Sequence, residues 1–446
     1  MEKSAEKAQC SHVDLIIRRG RVINSASSMD RIADVAVKNG QIFAVGENLR
    51  LTADEEFDAS SCIVTPGLID LHVHCYQYAT PLGVNVDESA VARGVTTVVD
   101  AGSAGATTFQ GLRKYVAEKS KTRVYAFLHI AAHGLASAGC SGHGQGGECD
   151  SLNQVDPELC LECIEENRDI IVGVKVRLSA DVANDGAYEE EVYVRALEAA
   201  KKAGVPLMVH HAFSTIPTES DGGDGLSAPG SMHFGDIYTH MYHGFPNTII
   251  DIKTKRVCDS VKEARNRGVL FDLGHGLGSF SWTVAELCAK ESFWPDSISS
   301  DLHTGNCHGP AHDLPFIMTK LLHVGMPLPY IIKAVTAAPA NAIGKSNVIG
   351  SLMVGRAADI TLLKIEDCDL QVEDCQSQIR HVTKQIAPEA VWRDGKRHPI
   401  TRVNYRISMH QFYEQAKDWP RLHVHDECPP CPPGNRDAAH EFLKTI

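Results

Sequence analysis

Between about residues 67 and 345, short apolar runs alternate with stretches of helical periodicity. This alternation is typical of βαβ units around a parallel sheet that is buried on both faces. Eight strands with crossovers in roughly 280 residues predict a (β/α)8 barrel, and thus an α/β fold. An open doubly wound sheet is the alternative, but no run is followed by the glycine-rich phosphate motifs that such sheets often carry. The eight runs are IDLHVH (69–74), TTVVDAGS (96–103), VYAFLHIA (124–131), IIVGVKVR (170–177), PLMVHHA (206–212), DIYTHMYH (236–243), VLFDLGHG (269–276) and SISSDLH (297–303).

The two ends of the chain show a different pattern. Short alternating strands with Asn-Gly and Arg-Gly turns fill residues 13–66, and similar segments return as AADITLLKI and PEAVWRDGKRH. We therefore predict one small β-sandwich domain that is formed from both chain ends. The predicted domains are residues 1–66 with 346–402 for the sandwich, 67–345 for the barrel and 403–446 for a C-terminal extension.

Two segments rich in Gly and Ser are long for the connections of such a fold. They cover residues 132–154 after the third run and residues 213–235 after the fifth. Loops of this length are usually functional lids or disordered segments. Both leave the carboxyl ends of their strands, which is the active-site face of a barrel.

Composition and charge limit the kinds of molecule that this protein is expected to bind. The 446 residues are 43% hydrophobic and 22% charged, which is ordinary for a folded globular protein. With 43 Lys and Arg against 56 Asp and Glu, the net charge of −13 argues against broad contact with a nucleic-acid backbone. We expect a cytoplasmic protein without a membrane partner, because we find neither a signal peptide nor a membrane-length apolar run. The sequence leaves open whether the protein forms a homo-oligomer.

Cysteine and histidine are both numerous, with 14 Cys and 22 His. In a reducing compartment the cysteines are expected to be free thiols. The histidines fall at the ends of the apolar runs, where the strands of a barrel meet at one mouth. Imidazole and carboxylate groups in that position suit Zn²⁺ or a similar divalent ion. The metal-capable groups are His72, His74, Lys175, His210 with His211, His240 with His243, and Asp301.

A lysine inside the apolar run IIVGVKVR needs its own explanation, because a buried charge is costly. An amine whose pKa is lowered by burial can react with CO₂, and the resulting carbamate has two oxygens that can bridge two metal ions. His72, His74 and Asp301 would then hold one ion, His210 and His240 the other, and carboxylated Lys175 would lie between them. Two such ions would hold a bridging hydroxide and polarise a carbonyl oxygen, and Asp301 would move the proton.

Each of these residues also has an ordinary structural explanation. His72 and His74 are spaced like many core or surface pairs, Lys175 could be ion-paired, and His210 could be a hydrogen-bonded core histidine. The tail holds a further cluster that could bind a separate zinc or form a solvated tail or intersubunit strap. Its members are His423, His425, Cys428 and Cys431.

Further polar residues near the strand ends are candidates for substrate binding. Arg177 shares the strand face of Lys175 and could hold a carboxylate with its two-pronged donor geometry. His275 is flanked by glycines and could hydrogen-bond a scissile carbonyl. His303, with Thr304 and Asn306 after it, could shape the pocket. His129 and His133 follow the third run and are better explained as supporting or core residues.

Several segments resemble the amidohydrolase superfamily. They are TPGLIDLHVH, the positions of Lys175, His210 and His240, SSDLHTGN, and TAAPANAIGKSNVIGSLMVGRAADI (336–360), which looks like that superfamily's return from barrel to sandwich. Within it, GVKVR, GDIYTH, FDLGHGLGSFSW and PDSISSDLHTGN are most similar to the dihydroorotase-like amidohydrolase/deacetylase metallohydrolases. The resemblance implies a binuclear zinc site with a carboxylated lysine. Its register favours His210 and His240 over His211 and His243.

The predicted activity is zinc-dependent hydrolysis of an amide or ester bond in a small N-acyl or O-acyl carboxylic acid. The alternatives are a cyclic-amide hydrolase of the dihydroorotase or dihydropyrimidinase type and a non-catalytic scaffold. Dihydroorotases carry an arginine two positions after the His-x-His pair, where this chain has Tyr76. Scaffold homologues usually lack several metal ligands, whereas all six candidates are present here.

Overall fold

The computed structural model describes residues 12–137, 147–219 and 225–405. Its strands are β1 (His12–Asn24), β2 (Met29–Lys38), β3 (Gln41–Gly46), β4 (Thr52–Asp58), β5 (Ile63–Pro66), β6 (Leu68–Val73), β7 (Val95–Gly105), β8 (Arg123–His129), β9 (Ile171–Leu178), β10 (Leu207–His211), β11 (Ile237–Thr239), β12 (Ile250–Asp251), β13 (Arg256–Val257), β14 (Leu270–Phe271), β15 (Ile360–Glu373), β16 (Ile379–Arg393) and β17 (Lys396–His398). Its α-helices are α1 (Val86–Ser89), α2 (Phe109–Gly111), α3 (Pro157–Glu166), α4 (Glu189–Ala203), α5 (Asp259–Asn266), α6 (Trp282–Lys290), α7 (Leu314–Val324), α8 (Leu328–Ala334) and α9 (Ala337–Ala342).

A curled parallel sheet of seven strands forms the centre of the molecule. Its strand order is β14-β11-β10-β9-β8-β7-β6, so seven of the eight predicted runs become neighbouring strands. Every residue of β6 and β7 is buried, which explains why these runs are apolar without alternation. The fold is therefore mixed α/β, and the carboxyl ends of all seven strands lie at the same edge of the sheet.

The eighth run, residues 297–303, does not form a regular strand, which corrects the sequence-based prediction. It bonds instead to both edges of the sheet, because Asp301 N donates to His72 O at 2.7 Å and His275 N donates to Ser299 O at 3.2 Å. Its serines explain the irregularity. Ser300 donates through both its amide and its hydroxyl to the buried carboxylate of Asp70, so its backbone is diverted from a ladder.

A second sheet unites strands from both chain ends. Its order is β17-β16-β15-β5-β1-β2-β3, with β4 beside β1. The link is β5, which pairs in parallel with β1 and antiparallel with β15. One apolar cluster draws on both ends, from Leu15 and Val35 to Ile360 and Trp392.

The helix α7 connects the two sheets and begins at a clear signal. Asp313 caps it by accepting from Phe316 N at 2.9 Å, and the helix ends at Val324 with Gly325 as its C-cap. Its residues from Leu314 to Leu321 are all buried, including the lysine at position 320. A buried lysine in such an apolar helix is unusual.

Ten cysteines lie among the described residues, and all ten are free. Cys62, Cys75 and Cys288 are buried, whereas Cys163 and Cys258 are partly exposed. No helix in the described ranges is long and apolar enough to cross a membrane.

Candidate metal centre

Four histidines meet where the parallel strands end. The ring centroids of His72 and His74, which leave β6 two residues apart, lie 5.5 Å from each other. The centroid of His240, after β11, is 5.1 Å from that of His72 and 4.4 Å from that of His210 on β10. The structure thus brings together all four histidines that the sequence analysis selected.

Asp301 completes this group from the segment that lies beside β6. Its Oδ1 lies 3.0 Å from Nε2 of His74 and 3.3 Å from Nε2 of His72. One ligand atom from each of His72, His240 and Asp301 fits within 4.8 Å of the others, which is the spacing of a cation site. Both Asp301 and His240 have a positive φ, 45° and 68°, a conformation that surrounding contacts must impose on a side chain.

The orientation of His72 is fixed by a short chain of hydrogen bonds. Its Nδ1 lies 3.0 Å from the hydroxyl oxygen of Thr239, and that hydroxyl donates its own proton to Asp272 at 2.7 Å. Thr239 must therefore accept from His72, so the neutral ring carries its proton on Nδ1. Its Nε2 lone pair then faces the cluster.

His74 and His240 have comparable supports. His240 donates from Nδ1 to Gly274 O at 2.7 Å, because a carbonyl can only accept. The Nδ1 of His74 lies 3.0 Å from the hydroxyl of Ser103. Ser103 is held in turn by Asp100, which accepts from its backbone N–H at 2.7 Å. In both rings Nε2 is the atom left for the cluster.

The neighbouring histidines lie outside the cluster. His211 uses both nitrogens elsewhere, with Nδ1 3.0 Å from the Tyr238 hydroxyl and Nε2 2.8 Å from Ile216 O. His243 accepts from Phe245 N through Nδ1. Of each adjacent pair, the geometry favours His210 and His240 as metal ligands.

Lys175 is buried beneath these rings. Its Nζ lies 3.3 Å from Nε2 of His72. Burial lowers the pKa of Lys175 to about 7, although the carboxylate of Asp301 acts in the other direction. The turn after β7 allows this close packing, because a Cβ on Gly102 would lie 2.7 Å from Cγ of Lys175 and its φ is +88°.

The electrostatics suit a group of metal ligands. Burial lowers the pKa of His72 and His210 well below the usual value and that of His240 to about 4, so these rings are neutral at pH 7 and their lone pairs are available. For Asp301 burial acts to raise the pKa, but His72 and His74 outweigh it and hold the pKa well below its usual range. Neutral imidazoles around an anionic carboxylate fit a divalent cation such as zinc.

Arg177 lies beside Lys175 on β9 and is paired within the protein. Its Nε is 3.2 Å from Oε1 of Glu148, which is fully buried in the loop after β8. The same oxygen lies 3.6 Å from Nε2 of His129. Burial would raise the pKa of Glu148, but Arg177 and His129 hold it at about 2. His133 is more peripheral, with Nδ1 3.4 Å from the side chain of Gln154.

The remaining candidates take different positions. His303 is 9% exposed, and its ring centroid lies 6.5 Å from that of His74. Asn306 donates to Asp301 O at 2.7 Å, whereas Thr304 is exposed and donates to Pro81 O. His275 turns toward α7, since its Nδ1 is 2.9 Å from Gly276 O and its Nε2 is 2.7 Å from Nζ of Lys320.

Comparison with known proteins agrees with this geometry. Residues 63–397 match the model of the amidohydrolase family. The chain belongs to the amidohydrolase family. It is 36% identical over 344 residues to a deacetylase of Brucella anthropi, covering 77% of this chain and 82% of the relative.

Two solved structures resemble this amidohydrolase closely. One is described as an adenine deaminase, with a TM-score of 0.78, 32% identity and coverage of 87% of this chain and 100% of the other. The second is described as a dihydroorotase, with a TM-score of 0.77, 30% identity and coverage of 88% and 99%. The protein is thus a hydrolase that acts on C–N bonds, in a family that generally uses divalent metals.

Sequence reasoning missed the residues that hold the candidate metal ligands of this amidohydrolase in place. These are mainly Asp100 and Asp272, with Thr239 between Asp272 and His72. A signal was present, because both carboxylates interrupt otherwise apolar runs, as Lys175 does. The cysteine-containing tail cluster at 423–431 lies outside the described residues.

Proposed function

We propose that this protein is a zinc-dependent amidohydrolase/deacetylase that removes the acyl group from a small N-acyl or O-acyl carboxylic acid. The observation that carries the proposal is the convergence of His72, His74 and His240 on the carboxylate of Asp301, with Nε2 of His74 3.0 Å and Nε2 of His72 3.3 Å from its Oδ1. The similarity to proteins named deacetylases supports the acyl substrate.

The proposed ligand set is that of the sequence analysis. His72, His74 and Asp301 would hold one ion, His210 and His240 a second, and carboxylated Lys175 would bridge them. The depressed pKa of Lys175 supports this modification, because a neutral amine is the form that reacts with CO₂. When bound, two zinc ions would polarise the scissile carbonyl and lower the pKa of a water molecule toward neutrality.

Asp301 would act as the proton shuttle of the reaction. Its pKa is low in the protein, so the carboxylate is anionic and can accept a proton from the attacking water. It can then pass that proton to the leaving nitrogen or oxygen. Asn306 supports this role because it fixes the backbone carbonyl of Asp301 at 2.7 Å.

Arg177 and His303 are the proposed contacts to the substrate. Arg177 would bind the substrate carboxylate, with Glu148 orienting the guanidinium from behind. The Nδ1 of His303 accepts from Gly305 N at 3.0 Å, so the neutral ring carries its proton on Nε2 and can donate it to a substrate oxygen. His275 has both nitrogens occupied, and we assign it a supporting position instead.

The proposal extends to the fold and to the location of the protein in the cell. We propose that residues 297–302 close the parallel sheet into an eight-stranded barrel and that the two-ended sheet is a β-sandwich with the predicted domain bounds. The free cysteines support a reducing compartment, for which we propose the cytoplasm.

A screen tests the function directly. Metal-stripped protein is reloaded with zinc, cobalt or manganese and assayed on N-acetyl amino acids, O-acetyl hydroxy acids and cyclic amides. We expect about two metal equivalents per chain and hydrolysis of acetylated acids only in the reloaded protein. Protein that holds well under one equivalent and cannot be reconstituted would contradict the binuclear site.

A cyclic-amide hydrolase is the second candidate, favoured by the likeness to a dihydroorotase structure. Against dihydroorotase activity, Tyr76 replaces the expected arginine, and its hydroxyl donates to Thr108 O at 3.1 Å. In the same screen, hydrolysis of cyclic amides without hydrolysis of acetylated acids would decide for this alternative.

A further inference from the structure

Lys320 is a fully buried lysine in the middle of α7. Its Nζ donates to Pro310 O at 3.0 Å and to Glu373 O at 2.8 Å, and it lies 2.7 Å from Nε2 of His275. An ammonium group has three N–H donors, so each one has an acceptor. The charge also lies 5.0 Å from the ring centroid of Phe280, which adds a cation–π contact.

One of these acceptors, His275, lies in a turn that contacts the residues of the candidate metal centre. His275 stands between the glycine whose carbonyl orients His240 and the glycine that packs against Asp301. A Cβ on Gly276 would lie 2.7 Å from Oδ2 of Asp301. The backbone of this turn also bonds to residues just before Asp301, through His275 N to Ser299 O at 3.2 Å.

The second acceptor, Pro310 O, also connects Lys320 to the surroundings of Asp301. Pro310 belongs to the segment that follows Asp301, and this segment folds back on itself through Asn306. The backbone of Asn306 accepts from His312 N at 3.1 Å, while its side chain donates to Asp301 O at 2.7 Å. Lys320 therefore ties together the two segments that position Asp301, and one of them also positions His240.

We propose that Lys320 is a positioning residue of the metal centre, which holds the turn at residues 274–276 and the segment 301–310 in register so that His240 and Asp301 face the same ion. This inference rests on the proposed function, since that function makes these two residues metal ligands. Lys320 itself contacts His275 and two backbone carbonyls. Its effect therefore passes through the hydrogen bonds described above.

The neighbouring residue on the same helix provides a matched control. Thr319 is buried as deeply, donates to Pro315 O at 2.9 Å and accepts from Ile386 N at 3.0 Å. It therefore ties α7 to β16, and neither of its hydrogen bonds reaches the turn at residues 274–276 or the segment 301–310. Thr319→Val and Lys320→Met each remove a buried polar tie from α7, but only the second affects the turn beside His240.

The experiment compares the two variants with the wild-type protein after cobalt loading. We expect both variants to melt at lower temperature. Only Lys320→Met should change the visible d–d absorption of Co²⁺, weaken Co²⁺ affinity about tenfold or more, and lower kcat more than it changes KM. A wild-type cobalt spectrum and affinity in Lys320→Met, with melting like that of Thr319→Val, would overturn the proposal.

His275→Ala is the second variant, for use if Lys320→Met does not fold. It leaves the lysine with its two carbonyls and removes its link to the turn, together with the contact of the ring to Gly276 O, so the same change in the cobalt spectrum is expected. Altered metal binding in these variants, with no hydrolysis by the wild type, would reject the proposed function and keep the positioning role. Normal hydrolysis with unaltered metal binding in both variants would reject the positioning role alone.

Discussion

His240 donates from Nδ1 to the backbone carbonyl of Gly274 over 2.7 Å. This bond selects the tautomer of the ring, and its Nε2 lone pair is left for the cluster. The backbone at Gly274 has a φ of +50°, and a Cβ there would lie 2.3 Å from Oγ1 of Thr239 and 2.8 Å from Nδ1 of His240. Position 274 therefore requires glycine for two reasons. Its φ is positive, and Thr239 and His240 leave no room for a Cβ.

We expect Gly274→Ala to weaken zinc affinity about 10- to 100-fold, because the carbonyl and Thr239 cannot both stay in place. Chelator competition on purified protein measures this. Gly204→Ala is the matched control, since Gly204 also has a positive φ, +64°, but nothing lies within 4 Å of its Cβ position. Equal metal affinity in the two variants would show that the Gly274 carbonyl does not set the ligand geometry.

Lys175→Ala should abolish hydrolysis and remove at least one of the two metal ions, because the bridging carbamate is lost. Short carboxylates such as acetate or propionate should restore part of the activity, since they can occupy the vacated space and bridge the ions. Lys201→Ala, which removes an exposed lysine from α4, is the control. Full activity in Lys175→Ala without added carboxylate would exclude the bridging role.

Asp301→Asn should lower kcat by about 10²- to 10⁴-fold, because an amide cannot accept the proton of the attacking water. The loss in kcat should exceed the loss of metal that elemental analysis detects. As a control, Asp259→Asn alters a carboxylate whose side chain is 93% exposed. Activity near that of the wild type in Asp301→Asn would remove this residue as the proton shuttle.

Glu148 should contribute to stability in a pH-dependent manner. Its pKa is held at about 2 in the folded protein against an ordinary 4.5. Because the folded pKa is lower than the unfolded one, the contribution is complete above pH 4.5 and is lost as the pH falls toward 2. The difference is worth roughly 3 kcal/mol when complete, at about 1.4 kcal/mol per pKa unit.

Urea unfolding of Glu148→Gln and wild type at several pH values checks this expectation. The free energies of unfolding should differ most at pH 6 to 7 and converge as the pH falls toward 3. Glu162→Gln, at an exposed position of α3, should show no such convergence. A difference that is constant with pH would mean that the ion pair with Arg177 does not set the pKa of Glu148.

The sequence singled out the candidate ligand group because its members follow simple rules. Two residues apart on a strand, His72 and His74 share a face, and the parallel strand ends meet at one edge. Lys175 was conspicuous as a charge in an apolar run. The same rule applied to α7 would have singled out Lys320, because its charge also interrupts apolar sequence.

Other features depend on contacts between distant segments and leave little trace in the pattern. His275 was selected as a substrate contact from its glycine neighbours, but its partner Lys320 lies 45 residues later in the chain. Arg177 was selected from its strand face, and its pairing with Glu148 depends on how a long loop packs. The eighth apolar run looked like a strand in the sequence, whereas its serines bond to buried carboxylates.

The strand β5 has a consequence for the order in which the chain folds. It pairs with β1, which precedes it in the chain, and with β15, which begins only at residue 360 and so is synthesised much later. Until then one edge of β5 has no partner, and an unpaired apolar edge invites association with other chains. A ribosome-bound chain stopped before β15 should therefore depend on chaperones, and folding of this sheet should be completed only once β15 has been made.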